Sequence, residues 1–144
     1  MSRGLERRFR FVTQRPGPAL DALEAALRGE RLSEEAVLDL RLVAEEILTN
    51  VAKYGHDDDA EHWVRVRLSL VSGEVTLEFT DDGRPFDPRA AKPPDLVPGG
   101  ERPLGGLGLE LVRSLVDAVE YARLGSENVL TLKKRVGVRE GGVP

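Results

Sequence analysis

The sequence predicts a two-layer α/β sandwich of the α+β kind, with helices covering one face of a largely antiparallel sheet. Residues 64–70 and 75–79 alternate apolar and polar positions on either side of Ser72-Gly73, the pattern of a hairpin. Two segments, 20–27 and 36–51, instead carry apolar residues at the 3.6-residue spacing of amphipathic helices. The outward positions of the strands are Arg65, Arg67, Ser69, Thr76, Glu78 and Thr80, so only one side of the sheet needs cover.

The chain of 144 residues is long enough for one domain with a sizeable core. Residues 1–136 are expected to form it, with 137–144 as a frayed tail. A net charge of −4 and a pI near 5.3 argue against general, direct nucleic-acid binding, which calls for a basic field. The absence of cysteine excludes disulfides, thiolate metal sites and cysteine nucleophiles. His56 and His62 are too few for a histidine-rich metal site. No apolar run approaches the roughly 18 residues of a membrane span, and the charged N-terminus is unlike a signal peptide. A cytoplasmic protein without a membrane partner is expected.

In chain order, residues 5–12 read as an edge strand with Phe9 and Phe11 on one face, broken by Pro16-Gly17-Pro18. Leu20, Leu23, Ala26 and Leu27 follow at helical spacing as far as Gly29. The next helix starts at Ser33 as N-cap with Glu34 and Glu35 in its first turn, and Gly55 is its expected stop. Its apolar arc comprises Ala36, Val37, Leu40, Ala44, Ile47, Leu48 and Val51. An acidic turn after His56 leads to the hairpin, whose second strand ends at Asp81-Asp82-Gly83. Residues 83–105 then hold six of the nine prolines and four glycines with no hydrophobic period. Stretches of this length inside a compact domain are functional or disordered. Gly105-Gly106-Leu107-Gly108 opens a second long helix with Leu109, Val112, Leu115 and Val116 as its stripe. Residues 121–124 and 129–135 are expected to be closing strands around Gly125-Ser126.

Three features carry chemistry. On the helix after Ser33, Glu46 and Asn50 lie about 40° apart, four residues along. Asp39 and Lys53 fall near the same line, and Ala36 and Val43 separate it from the apolar arc. A carboxylate able to act as general base and a carboxamide oxygen suited to Mg²⁺ thus share the margin of a buried face. The same pair also fits an ordinary solvated face. At the strand end, Asp81 can accept a hydrogen bond from an exocyclic amine such as that of adenine. Gly83 lets a planar base approach the backbone, and a plain turn would use the same residues. The glycines 105, 106 and 108 before a helix suit phosphate oxygens, or a hinge. They form neither a Walker A loop nor a dinucleotide fingerprint.

The order of these features resembles the GHKL-type ATPases, the group of gyrase, heat-shock chaperone, MutL and histidine-kinase ATP domains. Within that group the chain is most similar to the stand-alone anti-sigma factor serine kinases. The stretches 46–50, 81–87 and 106–121 carry the resemblance, which spans nearly the whole chain. It implies a Bergerat-type fold with a mixed, mostly antiparallel sheet and ATP held between the layers. It further implies Glu46 as general base, Asn50 as Mg²⁺ ligand and Asp81 as the adenine contact beside Gly83. Lys53, Phe86, Gly105, Gly106, Leu107, Gly108 and Leu109 would complete the nucleotide site. Residues 87–105 would be the ATP lid, with Arg102 where such lids carry a γ-phosphate arginine.

The function implied is phosphoryl transfer from Mg·ATP to a serine of an anti-anti-sigma (STAS-type) protein, with sequestration of a sigma factor. A homodimer is compatible with it. Two departures from the family pattern stand out. Pro85 occupies the place of a second glycine of the adenine-side motif, and a closing-strand Gly-Thr is absent, with Asn128 near that place. The alternative is a non-catalytic module that binds ATP and a protein partner. A histidine-kinase ATP domain is disfavoured, since no phospho-accepting helix is evident.

A lid makes one expectation testable directly. With five prolines and no apolar stripe, residues 87–105 have little to pack on without nucleotide, and phosphate contacts would order them. Proteolysis after Arg89, Lys92 or Arg102 should therefore slow when Mg·ATP is added. Equal cleavage rates with and without nucleotide would count against a lid.

Overall fold

The computed structural model describes residues 5–54, 61–87 and 108–136. Its elements run β1 (Leu5–Val12), α1 (Gly17–Arg28), α2 (Glu34–Tyr54), β2 (Trp63–Val71), β3 (Glu74–Asp81), α3 (Gly108–Leu115), β4 (Ala118–Leu124) and β5 (Glu127–Arg135). The five strands form one sheet in the order β1-β2-β3-β5-β4. All four ladders are antiparallel, so the expected mixed sheet is antiparallel throughout among the described residues. β3 and β4 nevertheless point the same way, because β5 inserts between them. The segment containing α3 thus makes a crossover, and β5 returns through the middle.

Side-chain alternation sorts the sheet into two faces. Phe11, Val64, Val66, Leu68, Leu77, Phe79 and Leu132 are buried toward the helices. The opposite face carries Arg8, Arg10, Arg65, Arg67 and Glu78 and stays open, as the strand pattern predicts. There Arg67 pairs with Glu78 at 3.1 Å, and the Arg10 guanidinium lies 4.5 Å from the Trp63 ring centroid.

Turn chemistry sets the register. Ser72 and Gly73 both take positive φ, 51° and 77°, as a two-residue type I′ hairpin requires. At Gly73 an added Cβ would also come within 3.3 Å of the Val136 carbonyl oxygen. The closing hairpin turns at Gly125, φ 61°, and is longer than expected at both strands, beginning at Ala118 and Glu127.

The helices start and stop for identifiable reasons. Pro16 caps α1 with Pro18 in its first turn, so the residues that break β1 also begin the helix. Ser33 Oγ accepts from the Ala36 amide at 3.1 Å, the N-cap expected for α2. Between the end of α1 and the start of α2, Arg28 pairs with both Glu24 and Glu34, and its hydrogen bond holds the Glu34 carboxyl below the usual range. The helix expected to be long after Gly108 is only two turns. It ends at Leu115, where Lys134 Nζ donates to the Leu115 carbonyl at 2.5 Å and lies 3.8 Å from Asp39 on α2. A cation at a helix C-terminus is favourable, and the chain is then free to enter β4. No helix among the described residues is long and apolar enough to cross a membrane.

The core lies between α1, α2 and α3 and the inner sheet face, with Leu23, Leu40, Val43 and Leu48 fully inside. Gly55, the acidic turn after it, the stretch 88–107 and the tail 137–144 lie outside the described residues.

Two substitutions measure how the layers hold. Leu77→Ala, at the middle of the sheet, should cost about 2–5 kcal/mol in urea unfolding. Ser33→Ala should cost about 1 kcal/mol, the value of a lost N-cap. An equal cost for both would contradict a core centred on β3.

Candidate nucleotide site

α2 brings the first site residue inside. Its apolar arc is wider than the sequence suggests, because Val43 is fully buried rather than marginal. Asn50 follows Val43 two turns on and is itself buried, 6% exposed, instead of standing at the margin beside Glu46. Glu46, one turn before Asn50, is half-buried, and Lys53 is exposed. The Asn50 Oδ1 oxygen has no hydrogen-bond partner among the described residues. A buried carbonyl left unpaired costs about 1–3 kcal/mol, so it calls for an explanation.

That residue lines a narrow cleft of about 440 Å³, open mouth included, between α2 and the strands β3, β4 and β5. Its apolar walls are Ile47 and Val51 from α2 and Phe79, Leu130, Tyr121 and Phe86 from the opposite side. Its polar members are Asn50, Asp81, Arg84 and Asn128. Glu46 and Lys53 are not among the described residues that line it.

Asp81 ends β3 facing the helices and is 8% exposed. Its Oδ1 accepts from the Gly83 amide at 2.9 Å and from Asn128 Nδ2 at 3.1 Å. Both bonds fall on one oxygen, which leaves Oδ2 as an acceptor for a ligand amine. Gly83 is buried next to it, as a close approach of backbone to a flat ring would need. Phe86 lines the cleft, and its amide reaches Asn128 Oδ1 at 3.4 Å.

The structure therefore brings Asn50, Asp81 and Phe86 to one cleft, with Gly83 at its edge and Glu46 one turn away. Gly108 opens α3 and Leu109 follows it. Arg102, Gly105, Gly106 and Leu107 lie outside the described residues. Sequence inspection placed Phe86 in the site but missed Tyr121, Arg84, Ile47, Val51, Phe79 and Leu130 as lining. It noticed Asn128 only as a departure from a pattern. The available signal was parity: Asn128 shares the inward face of β5 with Leu130 and Leu132, where a polar residue needs a reason.

Chemically, an unpaired buried carboxamide oxygen is a hard ligand of the kind Mg²⁺ accepts alongside water and phosphate. Flat apolar walls with a carboxylate oxygen at their end suit a nucleobase carrying an exocyclic amine. The residues present thus fit both a divalent cation and an adenine.

Comparison with known proteins agrees. Residues 13–134 match the family model described as "Histidine kinase-like ATPase domain". Among curated proteins, the chain is 31% identical over 115 residues to the serine/threonine-protein kinase BtrW of Bordetella bronchiseptica, covering 79% of this chain and 81% of that one. It is 30% identical over 105 residues to the serine-protein kinase RsbW of Listeria monocytogenes, covering 69% and 67%. An anti-sigma F factor of Clostridium botulinum is 25% identical over 92 residues, covering 59% and 60%. The RsbU and RsbW domains of Rv1364c from Mycobacterium tuberculosis share the fold at TM-score 0.59 and 16% identity, over 92% of this chain and 32% of that one. The histidine kinase domain of the blue-light activated kinase EL346 from Erythrobacter litoralis shares it at TM-score 0.53 and 21% identity, over 83% and 60%. The chain belongs to the histidine kinase-like ATPase domain family, in the group that includes the anti-sigma factor serine kinases.

Proposed function

We propose that the chain is a Mg·ATP-dependent serine kinase whose substrate is an anti-anti-sigma protein of the STAS type, and that it also sequesters a sigma factor. The observation that carries this is the pairing of two open oxygens across one cleft: Asn50 Oδ1 on α2 and Asp81 Oδ2 at the end of β3. The relatives named as serine-protein kinases and as an anti-sigma factor support the choice of acceptor and partners.

In this account Asp81 accepts the adenine amine while Phe79, Phe86 and Tyr121 exclude water from the base. Asn50 would hold the metal, which would supply positive charge against the phosphates. Gly108 begins the helix whose N-terminal amides would meet the phosphates. Glu46 would take the proton of the incoming serine hydroxyl as the serine oxygen bonds to the γ-phosphorus and ADP leaves. Catalysis of this kind is mostly positioning and charge stabilisation. A module that only binds ATP and a protein is the second reading. The position of Glu46 outside the cleft lining favours it.

Three variants separate these readings. Asp81→Asn presents donors where an acceptor is needed and should weaken ATP binding in calorimetry by roughly 10-fold or more. Adenine nucleotides should also bind better than guanine nucleotides. Glu46→Gln should bind ATP nearly as wild type but transfer phosphate roughly 10²-fold more slowly or worse. Asn50→Ala should weaken Mg²⁺-dependent binding and leave the unliganded fold as stable as before, because it removes an unpaired buried carbonyl. ATP binding without transfer to any anti-anti-sigma protein would favour the binding module. Wild-type transfer by Glu46→Gln would remove Glu46 as the base.

A further inference from the structure

Asn128 is 5% exposed and faces Asp81 across the β3–β5 ladder. Its Oδ1 accepts from the Tyr121 hydroxyl at 2.5 Å, from Arg123 Nη1 at 3.2 Å and from the Phe86 amide at 3.4 Å. Its Nδ2 donates to Asp81 Oδ1 at 3.1 Å, to the Arg84 carbonyl at 2.8 Å and to the Gly83 carbonyl at 3.4 Å. Arg123 Nη1 adds a bond of its own to the Gly83 carbonyl at 2.7 Å. One carboxamide thus meets β3, β4 and the turn from Gly83 to Phe86, with all its donor and acceptor capacity in use.

We propose that Asn128 is a positioning residue for nucleobase recognition. It occupies Asp81 Oδ1 from inside the fold, so that Oδ2 is the oxygen left to the base. It also pins the Gly83–Phe86 turn, which supplies Phe86 to the cleft wall. The inference rests on the cleft being the nucleotide site. The residue type matters here. Aspartate at 128 would set a second carboxylate against Asp81, and leucine would take one donor from Asp81 Oδ1 and one each from the Gly83 and Arg84 carbonyls. Threonine could keep a donor for Asp81 but has no second group to reach Phe86 and Arg84. Only a carboxamide of this length donates toward β3 and the turn while accepting from β4.

The contacts exist without ligand, which allows a test in two arms. Hydrogen exchange by NMR on nucleotide-free protein should find the Gly83 and Phe86 amides exchanging roughly 10-fold faster or more in Asn128→Ala, with Val66 and Leu77 amides unchanged. Calorimetry with Mg·ATP and Mg·GTP should then find the ATP-over-GTP preference reduced roughly 10-fold or more, while GTP affinity barely moves. General loosening of the fold would lower both affinities together and leave the ratio unchanged. Asn128→Thr should retain part of the preference with the Phe86 amide still exposed, and it serves in place of the alanine variant should that one fail to fold. Full protection of both amides in the variants, or an unchanged ATP-over-GTP ratio despite their exposure, would overturn the proposal. Failure of wild type to bind ATP at all would instead refute the nucleotide site, visible before any substitution, and the positioning role with it.

Discussion

The packing of α2 across the inner face of the sheet is the constraint from which the site follows. Val43, Ala44, Ile47 and Leu48 must all leave water together, and a helix cannot bury them without carrying Asn50 in as well. The fold thereby places a carboxamide oxygen where it has no partner among the described residues. Proteins seldom keep such a group for stability, since an apolar residue of similar size would serve packing better. Its retention makes sense if a ligand completes it, and the cleft beside it carries a second open acceptor, Asp81 Oδ2, at the end of apolar walls.

The sheet supplies the other half by geometry rather than by any single strong interaction. β5 enters the middle of the sheet and sets Asn128 directly across from Asp81. A strand arriving at the edge instead would leave the Asp81 carboxylate facing only its own turn. The insertion also brings Tyr121 and Arg123 of β4 within reach of the same carboxamide. A local Asx-type contact, Gly83 to Asp81, is in this way built into a network spanning three strands and a turn.

Much of this was legible in the sequence because it rests on local rules. Alternation in 64–70 and 75–79, the Ser33 cap, the Ser72-Gly73 turn and the strand end at Asp81 follow from period and turn chemistry, which need no tertiary knowledge. What was not legible depends on distant pairing. The depth of Val43, and hence of Asn50, is set by how α2 lies on the sheet, which a helical wheel leaves open by a residue on either side. The end of α3 at Leu115 is capped by Lys134, a residue on another element. The role of Asn128 required the β3–β5 register, which joins residues 47 positions apart. The strictly antiparallel sheet likewise follows from where β5 inserts and not from any strand's own pattern.

The account's central claim is that Mg·ATP occupies the cleft between α2 and the ends of β3 and β5. Heteronuclear NMR on the wild-type chain, titrated with ATP first without and then with Mg²⁺, tests it most directly. The account predicts that ATP alone shifts the amides of Gly83 and Phe86 and the ring of Tyr121, and that the side-chain amide of Asn50 moves only when Mg²⁺ is added. Shifts confined to the open arginine face of the sheet, or an Asn50 carboxamide indifferent to the metal, would contradict it.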